Sequence, residues 1–183
     1  MTITIQSQAL RAALRGPRIG LTCTRQFSCT PTLLAKNRLY PSRIRNDSEL
    51  QTLILMSASS RTPLLTFWMT TWSRDCDQIS PMLKELVDKE KIGEDKGGVS
   101  FVEVEMDSPD LGGITGIGME RYQVNKVPTL LAFDRGEAQV RTKVESLDDL
   151  KSKEFLRGWI EREAARHGEG GSGGGGIFGW FGR

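Results

Sequence analysis

The sequence predicts an α/β domain: a central mixed β-sheet flanked by helices on both faces. Apolar residues recur at helical spacing in some segments and in short strand-like runs in others, and the two kinds alternate along the chain. The connections between them are short and rich in Gly, Pro, Ser and Asp. The order α-β-α-β-α-β-β-α puts helical crossovers between the early strands and a tight turn between the last two. That order requires both parallel and antiparallel pairing in one sheet.

Taken in order, Asp47-Ser48-Glu49 reads as a helix start, with Leu50, Leu53, Ile54 and Met56 as apolar positions. Ser57 to Pro63 reads as turn. Leu64 to Met69 is a short apolar and aromatic run, the pattern of a buried strand. Thr70 to Asp75 is a loop, followed by a helix with Ile79, Met82, Leu83, Leu86 and Val87 on its apolar face. Glu94 to Gly98 ends that segment. Val99 to Met106 reads as a strand, Asp107 to Gly113 as a loop and Ile114 to Tyr122 as a short helix interrupted by glycine. Thr129 to Phe133 is a strand, Asp134-Arg135-Gly136-Glu137 a tight turn, and Ala138 to Val144 the partner strand. A last helix opens at Asp148 and turns Leu150, Phe155, Leu156, Trp159 and Ile160 inward. There is room for an edge strand around Leu39 to Ile44.

Charge divides the chain. Of 183 residues, 25 are Lys or Arg and 23 Asp or Glu. Residues 1–46 hold eight of the basic ones and none of the acidic, leaving 17 against 23 in the remainder. So balanced a whole excludes a polyanion-binding protein on bulk charge, and no nucleic-acid partner is expected. The basic arm carries the marks of a mitochondrial transit peptide, being Arg-rich and acid-free. In its segment 9–18, Leu10, Ala13 and Leu14 share one helical face and Arg11, Arg15 and Arg18 another. Arg25-Gln-Phe-Ser-Cys-Thr30 resembles presequences that are cut twice, which would remove Phe27–Leu34 second and start the mature chain at Ala35.

The chain then divides into a transit peptide (1–34), a basic segment with the edge strand (35–46), the main domain (47–166) and a Gly-rich tail (167–183). The expected location is the mitochondrion, in the matrix or on the matrix side of the inner membrane. Cys23 and Cys29 leave with the transit peptide, so Cys76 becomes the single thiol. One Cys and His167 make no metal site, and no cofactor is expected. The tail ends with Ile177, Phe178, Trp180 and Phe181 on a glycine tether, a short hydrophobic contact for a protein complex or membrane surface.

Within the main domain, Phe67-Trp68 followed by Trp72-x-x-x-Cys76 and Pro81 resembles the strand, active-site motif and helix of thioredoxins. Val127-Pro128-Thr129-Leu130 resembles the family's cis-proline segment, and Phe133 to Glu137 its hairpin turn. The resemblance covers Leu39 to Ala165. It implies a thioredoxin-like fold and a shallow groove at Trp72, Val127 and Pro128 that receives extended polypeptide.

The departures bear on activity. Where the family has Trp-Cys-Gly-Pro-Cys, this chain has Trp72-Ser73-Arg74-Asp75-Cys76. Ser73 occupies the place of the attacking cysteine, and Cys76 that of the resolving one. Disulfide reduction proceeds by attack of a thiolate on sulfur, which a serine hydroxyl does not perform. The family's buried carboxylate falls at Thr66, Asp77 replaces a lysine, and the loop from Trp68 to Trp72 is one residue longer. Ser73 is then expected as a helix N-cap whose hydroxyl accepts a backbone N–H. Two functions follow from this degenerate SxxC motif. One is a non-catalytic protein-binding module using the groove. The alternative is an oxidoreductase acting through the single thiol Cys76 in mitochondrial redox homeostasis.

Overall fold

A computed structural model of the chain describes residues 36–113 and 115–169, with side chains as far as Arg166. Residues 1–35, Ile114 and the residues from 170 onward lie outside the described residues, and with them the segment expected to be a transit peptide and the aromatic end of the tail. So does the side chain of His167.

The strands are β1 (Arg38–Leu39), β2 (Leu64–Met69), β3 (Ser100–Glu105), β4 (Thr129–Asp134) and β5 (Glu137–Ala138). The helices are α1 (Asp47–Ser60), α2 (Arg74–Lys84), α3 (Ile117–Tyr122), α4 (Leu147–Lys151) and α5 (Lys153–Glu169). The strands form one sheet in the order β1-β3-β2-β4-β5. β3 runs parallel to both β1 and β2, while β4 is antiparallel to β2 and β5. All six residues of β2 are buried, as a central strand covered on both faces requires.

Alternation along the strands divides the core in two. On one face Phe67, Phe101, Leu130 and Ala132 pack with Leu83 and Leu86, and with Leu156, Trp159 and Ile160 of α5. On the other, Trp68, Val102, Val104 and Phe133 pack with Leu50 and Ile54 of α1 and Tyr122 of α3. Tyr122 sits edge-on to Phe133, ring centroids 5.1 Å apart, and 5.7 Å from Trp68. Gly118 lets α3 approach this cluster: a Cβ there would come within 2.9 Å of the Trp68 indole.

The mixed sheet and its covering helices match the predicted class, and Leu64–Met69 keeps its predicted bounds. Other boundaries differ for local reasons. α1 is capped by Asn46, whose side chain accepts the Glu49 N–H at 2.8 Å, and it continues to Ser60 through the expected turn. Met56 points outward instead of joining the core. α3 begins at Ile117, not at position 114.

The expected strand Ala138–Val144 keeps only its ends. Val140–Thr142 turns as a short 3-10 helix, and Val144 rejoins β4 through paired bonds with Leu130 at 2.9 Å. The last helix is two helices. Ser146 caps α4, and the Ser152 hydroxyl accepts the Phe155 N–H at 3.2 Å, restarting the chain as α5. α5 runs to Glu169, past the boundary drawn at 166. The edge strand at Leu39 to Ile44 forms as β1 plus a bridge from Ile44 to Val104.

Candidate functional site

β2 delivers the chain to the motif from its C-terminal end. Beyond Met69 the loop is tied to the end of β3 by Asp107. Its carboxylate accepts the Thr71 N–H at 3.1 Å and the Thr71 hydroxyl at 2.7 Å. Burial alone would raise the pKa of Asp107, but these bonds, its own backbone amide and the charge of Arg43 hold it below the usual carboxylate range. This tie anchors the lengthened loop, and Trp72 then projects into solvent with 66% of its surface exposed.

Ser73 stands at the N-cap of α2 in an extended conformation, as expected. Its hydroxyl makes no capping bond, contrary to expectation. The first turn is closed by backbone contacts, Asp77 N–H to Ser73 O at 3.3 Å and Ser73 N–H to Thr70 O at 3.5 Å. Asp75 and Asp77 place negative charge at the positive end of the helix dipole. Asp75 also pairs with Lys151 of α4 at 2.8 Å, an exposed contact that contributes little to stability.

Cys76 is a free thiol with no exposed surface, packed in the core shared by Phe67, Met69, Ile79 and Leu83. It is the only cysteine among the described residues, so within them the motif has no partner thiol. Val127–Pro128 is cis, with Pro128 buried and Val127 partly exposed ahead of β4. Among the described residues no group of His, Cys, Asp or Glu is placed to hold a metal ion.

At Thr66 the hydroxyl donates to Leu131 O at 2.8 Å and accepts the Trp68 indole N–H at 2.9 Å. It is fully occupied as a structural link between β2 and β4 and offers no proton acceptor to the motif.

Buried carboxylates lie elsewhere in this protein. Glu103 on β3 is 3% exposed; it pairs with Lys84 at 2.8 Å and Arg43 at 3.2 Å, and it accepts a bond from the Ser80 hydroxyl. Burial favours the neutral acid, but the bonds from Lys84 and Ser80, the lysine charge and the Arg43 bond outweigh it, and the pKa is lowered. Ser80 is one turn beyond Cys76 on the same side of α2. Glu105, buried as well, pairs with Arg45 at 3.1 Å. Reading β3 from its apolar residues alone missed this cluster. Its signal was the matched spacing of Arg43-x-Arg45 and Glu103-x-Glu105, brought side by side when Ile44 pairs with Val104.

The motif presents the Trp72 side chain to solvent, and of the cis-proline segment Val127 is partly exposed while Pro128 is buried. The motif holds its one described thiol out of solvent and sets the Ser73 hydroxyl at the start of α2.

No protein-family model matches the chain, and no curated protein matches it. Solved thioredoxin structures do. Thioredoxin NaTrxh from Nicotiana alata is 17% identical, with 70% of this chain and 94% of that chain covered at a TM-score of 0.52. Fasciola hepatica thioredoxin is 19% identical, with 69% and 98% covered at a TM-score of 0.49. Mitochondrial thioredoxin 3 from Saccharomyces cerevisiae, in its oxidized form, is 20% identical, with 66% and 93% covered at 0.47. Together with the strand order and the cis-proline before β4, the likeness to the Nicotiana alata protein establishes the architecture: this chain has the thioredoxin fold.

Proposed function

We propose that this protein is a mitochondrial, non-catalytic binding module that holds an extended polypeptide in the groove at Trp72, Val127 and Pro128. The observation that carries the reading is the pairing of Ser73 at the attacking position with a Cys76 that has no exposed surface. A nucleophile must be ionised and reachable, and neither residue supplies both. Trp72, by contrast, is a large exposed aromatic, and Val127, ahead of β4, is partly exposed. That combination suits main-chain contact with a strand-like peptide, with the indole gripping one side chain. The acid-free, amphipathic leader supports the mitochondrial destination; import with cleavage before Ala35 is its check.

The binding test uses the full chain and a probe that is extended but carries no disulfide, the reduced and alkylated B chain of insulin. The native protein and Cys76→Ser should bind it equally, and Trp72→Ala should weaken binding about tenfold, the loss of a buried aromatic contact at an interface. Binding indifferent to Trp72→Ala would remove the groove reading. A glutathione adduct forming on Cys76 of the native protein would favour the monothiol alternative instead.

A further inference from the structure

Away from the motif, residues 40–44 and the first turns of α1 enclose an open groove of about 330 Å³. Tyr40, Pro41, Ile44 and Leu53 supply its apolar walls, and Ser42, Arg43, Ser48, Glu49 and Thr52 its rim. It shares no residue with the motif loop. It flanks the outer strand of the sheet, and among the described residues nothing pairs with the free side of β1.

The segment before β1 and the last helix meet at one loop. Asn37, just before β1, donates its side-chain amide to Val87 O and Ile92 O at 2.9 Å and accepts the Val99 N–H at 2.9 Å. Its own N–H reaches Glu94 at 3.0 Å. The last helix arrives at the same loop. Lys96 pairs with Glu161 at 3.6 Å, and a Cβ at Gly93 would lie 2.9 Å from that of Ala164. From this shared point Tyr40 is about 10 Å along the strand. Residues 170–177 span about 26 Å when extended. α5 runs about 8 Å beyond Ala164 before they begin and covers the face opposite α1, so residue 177 reaches the groove when they extend around the sheet edge at β1.

We propose that Ile177, Phe178, Trp180 and Phe181 fold back onto their own chain and fill this groove, packing on Tyr40, Pro41, Ile44 and Leu53. Residues 170–182 carry no charge, so their entry desolvates no ion of the tail. The tether also makes a weak contact sufficient: a short linker holds the segment at millimolar effective concentration. The inserted segment closes the open flank of β1 and takes four large apolar side chains out of water. This inference is independent of the function proposed for Trp72.

Hydrogen exchange on the full chain, compared with the chain lacking Gly170–Arg183, tests it. Amides of residues 40–44 and 48–53 should exchange about tenfold faster without the tail, while those of Leu64–Met69 stay unchanged. Trp180→Ala and Leu53→Arg, each in the full chain, should reproduce the faster exchange. Equal rates with and without the tail overturn the proposal. So does protection that disappears on dilution, which assigns the groove to a second copy. Protection that appears only with phospholipid vesicles also overturns it, in favour of a membrane surface.

Discussion

Glu103 shows how one residue can be fixed by groups far from it in sequence. It lies on a central strand with both faces covered, where a lone carboxylate would be expelled, and it stays because Lys84, Arg43 and Ser80 converge on it. Glu103→Gln should destabilise the fold by about 3 kcal/mol, the lower end for breaking a buried ion pair, since both cations are about a third exposed. The pH dependence follows from the lowered pKa. The folded protein keeps the carboxylate ionised below the usual value of about 4.3 that applies to the unfolded chain. Its contribution is therefore complete above about pH 5 and is lost as pH falls through the folded pKa. Melting temperatures recorded from pH 3 to 7 should fall toward acid more steeply in the native protein than in Glu103→Gln. Parallel curves would show that the cluster does not hold this charge. The place of Ser73 ahead of α2 was legible in the sequence, but whether its hydroxyl would cap that helix depended on local geometry, and it does not. Glu103 was legible only as half of a pair, since its meaning depends on where Arg43 falls.

At the scale of elements, the sequence was clearest where burial on both sides leaves an uninterrupted apolar run, as in Leu64–Met69. It was least clear where tertiary partners claim backbone groups. Ala138 to Val144 has the letters of a strand, yet the Trp159 indole takes the Thr142 carbonyl at 2.7 Å and the chain turns there. The break between α4 and α5 rests on Ser152, one of several polar residues in its stretch, whose capping role depends on the chain entering α5 at that angle. The segment before α1 is the element most dependent on one residue. Asn37 ties it to the loop between α2 and β3 with both its amide nitrogen and its oxygen. Asn37→Ala leaves these backbone groups unsatisfied. It should cost about 2 kcal/mol and raise hydrogen exchange in residues 38–44 before any change in β2. Exchange that rises uniformly across the sheet would instead mean that the segment is not a separate cooperative unit.

Across the whole molecule, the architecture is the thioredoxin fold. The sheet order and the cis-proline before β4 are in place, and the resemblance read from the sequence sets Ser73, Thr66 and Asp77 where it implies a thiol, a carboxylate and a lysine. A fold does not by itself carry an activity; the atoms at the site do. The most direct test is reduction of insulin disulfides by the full chain in the presence of dithiothreitol, with Cys76→Ser and Ser73→Cys alongside. The native chain and Cys76→Ser should match the uncatalysed rate, and Ser73→Cys should be the only one of the three able to exceed it. Turnover by the native chain that vanishes in Cys76→Ser would contradict the account.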